Sequence, residues 1–331
     1  RYHNWRRKPQ THCNKIKVAS YLMQNQIENT TGSLFGELWK DLSSEQFRDS
    51  VELFTKRAIA NNFDLDWLKG KTCLDAGCGS GRYSVALAIH GAAKITAVDV
   101  SSTGLETARN NAKEFNQIQF QQASVLNLPF PDQSFDLVWC AGVLMITSDF
   151  DKGLSELTRV LKPNGKLFLL VYGAGGLRWK VIKAARPIVA DLGQTFIDRA
   201  IQQSGLPANN RKNYMDDLFV PVQELTRFTE LNQKLIDLGY SSIDRWTGNT
   251  FDHENSPKDQ LSDMLKLGEI AESAQSLATT KSETYHTELL KRTADMYINL
   301  IQEALSDPNL TSEQLKDITI GEGNLRLIAT K

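Results

Sequence analysis

An acid followed by alternating glycines, Asp75-Ala-Gly-Cys-Gly-Ser-Gly81, is the part of this chain best suited to receive a ligand. The short run Lys71-Thr-Cys-Leu before it reads as a strand, and a helical pattern starts near Tyr83. Strand, tight turn and helix start are the layout of a nucleotide-binding βα unit. Gly77, Gly79 and Gly81 allow positive φ and let a ligand approach where a Cβ would collide. A dinucleotide site wants G-x-G-x-x-G, and here the third glycine position is Arg82, which disfavours a pyrophosphate ligand. Roughly 20 residues after the turn, Lys94-Ile-Thr-Ala-Val-Asp-Val100 reads as a second strand ending in Asp99. A carboxylate there accepts from two ribose hydroxyls, and its charge strengthens both bonds.

These residues need a scaffold that brings two strand ends together. Strands are expected near 72–75, 94–99, 118–122, 135–140 and 166–172, with helices near 82–90, 102–115 and 149–161. That alternation implies parallel strands joined by right-handed crossovers. The turn, the acid at 99, the buried strand Phe135-Asp-Leu-Val-Trp-Cys140 and the segment Leu157-Thr-Arg-Val-Leu-Lys-Pro-Asn-Gly-Lys166 before the strand Leu167–Tyr172 occur in a telling order. Over residues 68–172 the chain resembles the class I S-adenosylmethionine-dependent methyltransferases.

The resemblance implies an α/β, Rossmann-like fold: seven mostly parallel strands, an antiparallel last strand, helices on both faces, a helical cap and insertions. It implies S-adenosylmethionine as cofactor, held by Asp75, Gly77, Cys78, Gly79, Gly81, Arg82, Asp99, Val100, Ser124, Val125 and Cys140. Asp75 suits the cofactor's amino group, or alternatively only braces the turn. Arg82 suits its carboxylate, or is an exposed helix-start arginine. Two departures stand out. Relatives often carry an acid after the third strand to read adenine, where this chain has Ser124; the alternatives are that Ser124 bonds the amine, that another residue substitutes, or that cofactor affinity is reduced. Many carry paired histidines after the fourth strand, where Met145 and Ile146 make an apolar wall.

With 331 residues, 41% of them hydrophobic and 23% charged, the chain suits one large α/β domain with insertions, or two modest domains. Thirty-eight Lys and Arg against 39 Asp and Glu leave no global field to recruit nucleic acid. No apolar run approaches the roughly 18 residues of a transmembrane helix. Arg1–Lys8 lacks the apolar core of a secretion signal, so a cytoplasmic location is expected. Cys13, Cys73, Cys78 and Cys140 have no metal-ligand spacing and read as reduced thiols, and no metal is expected.

The expected divisions are a basic arm and helical cap (1–67), the cofactor core (68–172), a substrate lid (173–222), a core continuation (223–250), a helical insertion (251–320) and a last strand (321–331). The arm, with Arg1, Arg6, Arg7, Lys8, Lys15 and Lys17 and no acid before Glu28, reads as a solvated terminus or a nucleic-acid contact. Residues 34–67 read as amphipathic helices over the cofactor or packed on the sheet. In the lid, Leu177–Arg186 reads as a helix resting on an anionic membrane or facing solvent with its basic side, limited in length by Pro187.

No catalytic base is evident in the core. Tyr172, Tyr214, Asp216, Asp217, Asp252 and His253 are the candidates. The leading expectation is in-line methyl transfer to a small-molecule or lipid-like acceptor. The alternatives are an RNA or protein methyltransferase using the basic arm, or a catalytically silent cofactor-binding module. The 251–320 insertion offers a homodimer surface.

Overall fold

The structure, a computed structural model, describes residues 10–40, 43–206, 208–248 and 256–331. Two helices precede the sheet, α1 (Gln10–Lys40) and α2 (Ser44–Ala60). Ser43 starts α2 by accepting from the Gln46 N–H while the Gln46 side chain accepts from the Ser43 N–H. That reciprocal cap satisfies two donors that a helix start otherwise leaves unpaired.

The core then runs β1 (Thr72–Ala76), α3 (Arg82–Ile89), β2 (Lys94–Asp99), α4 (Ser102–Asn111), β3 (Ile118–Gln122), β4 (Phe135–Ala141), α5 (Phe150–Val160) and β5 (Leu161–Tyr172). Next come α6 (Gly176–Leu192), α7 (Gln194–Gln203), α8 (Ala208–Phe219), α9 (Phe228–Asp237) and β6 (Ser242–Arg245). Last are α10 (Pro257–Leu277), α11 (Lys281–Ser306), α12 (Ser312–Thr319) and β7 (Asn324–Thr330). The strands form one sheet in the order β3-β2-β1-β4-β5-β7-β6. β1 to β5 pair in parallel, and β7 is antiparallel to both neighbours, as the resemblance implied. Chain order reverses between β1 and β4, and such a switch point opens a crevice at the carboxyl ends of the strands.

Successive side chains of a strand face opposite sides, so β4 serves two cores. Val138 and Cys140 join the larger cluster with α5 and α6. Leu137 and Trp139 join the cluster under α2 and α3. Trp139 stacks on its register partner Phe168 with centroids 3.7 Å apart, and Phe54 of α2 lies 4.9 Å from the same indole.

Three expectations need revision. α1 reaches back to Gln10, so residues 10–27 of the expected arm are helix, while residues 1–9 of it lie outside the described residues. β5 starts at Leu161, because Phe135 pairs with Leu161 before a register shift around Asn164 (φ 60°) lets Leu137 pair with Lys166. α6 continues through Pro187 to Leu192, since Ile188 and Val189 prolong its buried face. That face is covered by α8, α11 and α12, so it does not rest on a membrane surface. The two long insertions also meet: α11 packs on α6, and α10 packs on both α11 and α7. Among the described residues no helix is long and apolar enough to cross a membrane.

Candidate active site

The glycine turn is held from below by β2. The N–H groups of Gly77 and Cys78 both donate to the Val98 carbonyl, at 2.8 and 2.9 Å. Gly77 has φ +80°, and a Cβ there would run into Val143, so only glycine fits both the turn and the wall. Asp99 closes the arrangement. One carboxylate oxygen accepts from the Gly79 N–H (2.8 Å) and the other from the Ser101 N–H (2.8 Å). Each oxygen retains lone-pair capacity for a further donor. Burial pushes the Asp99 carboxyl upward, opposed by backbone N–H groups of Ser101, Gly79 and Val100.

Asp75 sits deeper, 1% exposed at the end of β1, and accepts from Ser84 Oγ at 2.6 Å. It ties β1 to α3. Burial raises its pKa to about 7, with the Ser84 bond pulling the other way.

A cleft of about 820 Å³, counting its open mouth, lies above these carboxyl ends. Gly77, Cys78, Gly79, Arg82, Asp99, Val100, Ser124 and Val125 all line it. Asp75, Gly81 and Cys140 do not; they lie behind the lining, where Ala141, Gly142 and Val143 take over from Cys140. Gly81 instead brings the start of α3 against Ala108 of α4. The Cys78 and Cys140 thiols are buried, and desolvation raises both, so neither is a thiolate near neutral pH. Arg82 spreads over the rings of Tyr83 (4.6 Å) and Trp39 (5.5 Å). Ile146 forms the expected apolar wall, whereas Met145 turns inward at 1% exposure.

The lid candidates gather elsewhere. Tyr172 donates to Asp216 (2.9 Å), Arg178 donates to Asp217 (2.8 Å), and Arg186 donates to the carbonyls of Asp217 and Val220. Tyr214 donates to the Asp263 carbonyl at 2.6 Å. None of Tyr172, Tyr214, Asp216 and Asp217 lines the cleft. Burial raises both tyrosines above the usual phenol range, so each stays protonated and acts as a donor. Asp252 and His253 lie outside the described residues.

Sequence reasoning missed part of one wall. Glu28, Thr31, Gly32, Phe35 and Trp39 of α1 all line the cleft, at the three- and four-residue steps that share one helical face. Glu28 Oε1 accepts from Ser124 Oγ at 2.7 Å, joining α1 to the loop after β3. Upstream of Leu34 the residues Glu28-Asn-Thr-Thr-Gly-Ser33 are polar or small and carry no apolar period that would mark a buried helical face.

Among the described residues no group of three or more His, Cys, Asp or Glu is arranged to hold a metal ion. Residues 74–169 match the family described as "Methyltransferase domain". An uncharacterised Synechococcus protein is 33% identical over 206 residues, covering 52% of this chain and 49% of its own length. The 2-phytyl-1,4-naphtoquinone methyltransferase of a Nostoc species is 41% identical over 106 residues, covering 30% and 46%. The 27-O-demethylrifamycin SV methyltransferase of Amycolatopsis mediterranei is 29% identical over 188 residues, covering 52% and 69%. The chain thus spans about half the length of the first two of these curated relatives.

Proposed function

We propose that this chain, whose core belongs to the class I S-adenosylmethionine-dependent methyltransferases, transfers a methyl group to a small apolar acceptor. Asp99 is the observation that carries the reading. Its carboxylate is fixed by two backbone N–H groups, faces the cleft, and keeps acceptor capacity on both oxygens for a ribose diol. The site's other features fit the same ligand. The Gly77–Gly79 backbone admits its amino-acid portion, Asp75 suits the ammonium directly or through water, and Arg82 suits the carboxylate. Val100 and Val125 offer apolar flanks for a purine.

When bound, S-adenosylmethionine supplies a methyl carbon made electrophilic by its sulfonium. The chain's own residues then orient the reactants and exclude water, a contribution that alignment alone makes large. Among the described residues no histidine or lysine lines the cleft, and its cysteine is protonated. An acceptor whose nucleophile arrives already ionised, or is a carbon or nitrogen that sheds its proton after attack, would need no histidine, lysine or thiolate there. Phe35, Val143 and Ile146 give the cleft an apolar side consistent with such a molecule. Relatives named for a naphthoquinone and for a rifamycin support a small, largely apolar acceptor.

Calorimetric titration of S-adenosylhomocysteine tests the reading. Wild type is expected to bind, and Asp99→Ala to bind about 100-fold more weakly, as expected for two lost bonds to a charged acceptor. Absence of binding to wild type sinks it.

A further inference from the structure

We propose that Glu28, on the cap helix α1, is the carboxylate that reads the adenine amine of the cofactor, replacing an acid that the loop after β3 lacks. The inference rests on the methyltransferase reading and assigns a residue to its base-binding end. With the ribose on Asp99 at the tip of β2, the space between Val100 and the Ala123–Val125 loop, on the side of the neighbouring strand β3, would take the base. An exocyclic amine there donates two hydrogens and needs an acceptor at the edge of the slot. Among the described residues that line the cleft only Asp99 and Glu28 carry carboxyl groups, and Asp99 is assigned to the ribose. Ser124 stands at the loop position and its hydroxyl is turned to Glu28 (2.7 Å), fixing that carboxylate over the slot.

Three further features hold Glu28 there. Gln24, one turn earlier, donates to the same Oε1 at 3.0 Å, so both bonds fall on one oxygen and, among the described residues, none falls on Oε2. The helix itself lies close to the β2–α4 connection because Gly36 faces it. A Cβ at Gly36 would sit 2.5 Å from Ser101 Oγ, the hydroxyl that caps α4 by accepting from Gly104. Thr31, three residues from Glu28 on the same face, is 8% exposed, and its hydroxyl oxygen has no partner among the described residues while its residue lines the cleft. A buried hydroxyl left unpaired is costly, and a purine ring nitrogen beside it would remove that cost.

The consequence is that the core alone does not complete the cofactor site. Recognition of the base is supplied by a helix outside the matched core and depends on α1 being docked.

The test compares S-adenosylhomocysteine with its analogue lacking the 6-amino group, by calorimetry on the full chain. Wild type is expected to prefer the amino ligand by about tenfold or more, and Glu28→Ala to bind the two alike. Asp99→Ala should weaken both ligands while keeping the preference. Retention of the preference in Glu28→Ala overturns the assignment and leaves the methyltransferase reading intact. An equal loss of both ligands in that variant also overturns it, because it marks Glu28 as a helix tether. Should Glu28→Ala bind neither ligand, the near-isosteric Glu28→Gln decides: a preference at the wild-type level overturns the assignment and a reduced one upholds it. Failure of wild type to bind either ligand removes the methyltransferase reading itself.

Discussion

The chain buries two sets of carboxylates beside its sheet, and they are partnered in opposite ways. In the cleft, Asp99 is held by backbone N–H groups, which orient it without neutralising its charge. Under the lid, Asp217 is paired with the Arg178 guanidinium, and Asp216 accepts from Tyr172. A carboxylate held by neutral donors can still take a ligand's hydrogens. One matched to an arginine in the interior is already consumed, and its removal is felt as lost stability. The residue types are the same, and what holds them decides whether a site or a strut results.

The strongest way to break that comparison is Asp217→Ala. Arg178 and Asp217 are 11% and 6% exposed at their side chains and 2.8 Å apart, so losing the acid removes a buried cation's close acidic partner. The expected loss is about 3–5 kcal/mol of stability, read by denaturant unfolding. S-Adenosylhomocysteine affinity of the folded fraction should stay at the wild-type level. A variant of normal stability that fails to turn over substrate would make Asp217 part of the machinery. Asp99→Ala is the mirror experiment. It should cost about 3 kcal/mol of cofactor affinity and, because the Gly79 and Ser101 N–H groups lose their acceptor but no buried cation loses its acid, less stability than Asp217→Ala. A large stability loss with intact affinity would turn the assignment around.

A smaller, pH-dependent effect sharpens the cleft side. Burial raises the Asp75 carboxyl to about 7, against 3.8 for a fully solvated aspartate. Between about pH 4 and 7 the native state keeps a proton that the unfolded chain has released. Stability from this group is therefore fully present below pH 4, declines as pH rises to about 7, and is level above. The slope approaches at most about 1.4 kcal/mol per pH unit. Asp75→Asn should flatten it. If Asp75 receives the cofactor's ammonium, affinity for S-adenosylhomocysteine runs the other way, weakening as pH drops below 7. An affinity independent of pH between 5.5 and 8 would leave Asp75 as a brace between β1 and α3.

The contrast between the two regions also explains what could be read from the sequence. Asp75, the glycines and Asp99 form a contiguous motif and a strand end, so their chemistry is encoded locally, and the strand alternation placed them on one edge of the sheet. Glu28 was invisible because its partner, Ser124, is 96 residues away in the chain. Only packing of α1 through Gly32 and Gly36 against Val100, Ser101 and Thr103 brings the two together. Tyr172, Asp216 and Asp217 were recognisable as reactive types. Whether they met a ligand or an arginine depended on how α6 and α8 cross, which no spacing encodes. Pro187 misled for a related reason: the local cost of a proline was outweighed by the apolar face that α6 buries beyond it.

The smallest expected effect is the most decisive for mechanism. Tyr172→Phe deletes the hydroxyl that donates to Asp216 and leaves the ring against Trp179, 4.6 Å away. As a strut, that hydroxyl is worth roughly 1 kcal/mol, and the variant should unfold slightly earlier with unchanged turnover. A general base would behave otherwise: its loss typically costs 10²- to 10⁴-fold in rate with little change in stability. The phenol is a donor to an acid, burial raises its pKa, and it does not line the cleft. All three favour the small stability effect. A collapse of the rate in Tyr172→Phe, with the fold intact, would mean that the lid rearranges to bring β5's last residue to the acceptor, and the division between site and strut would fall with it.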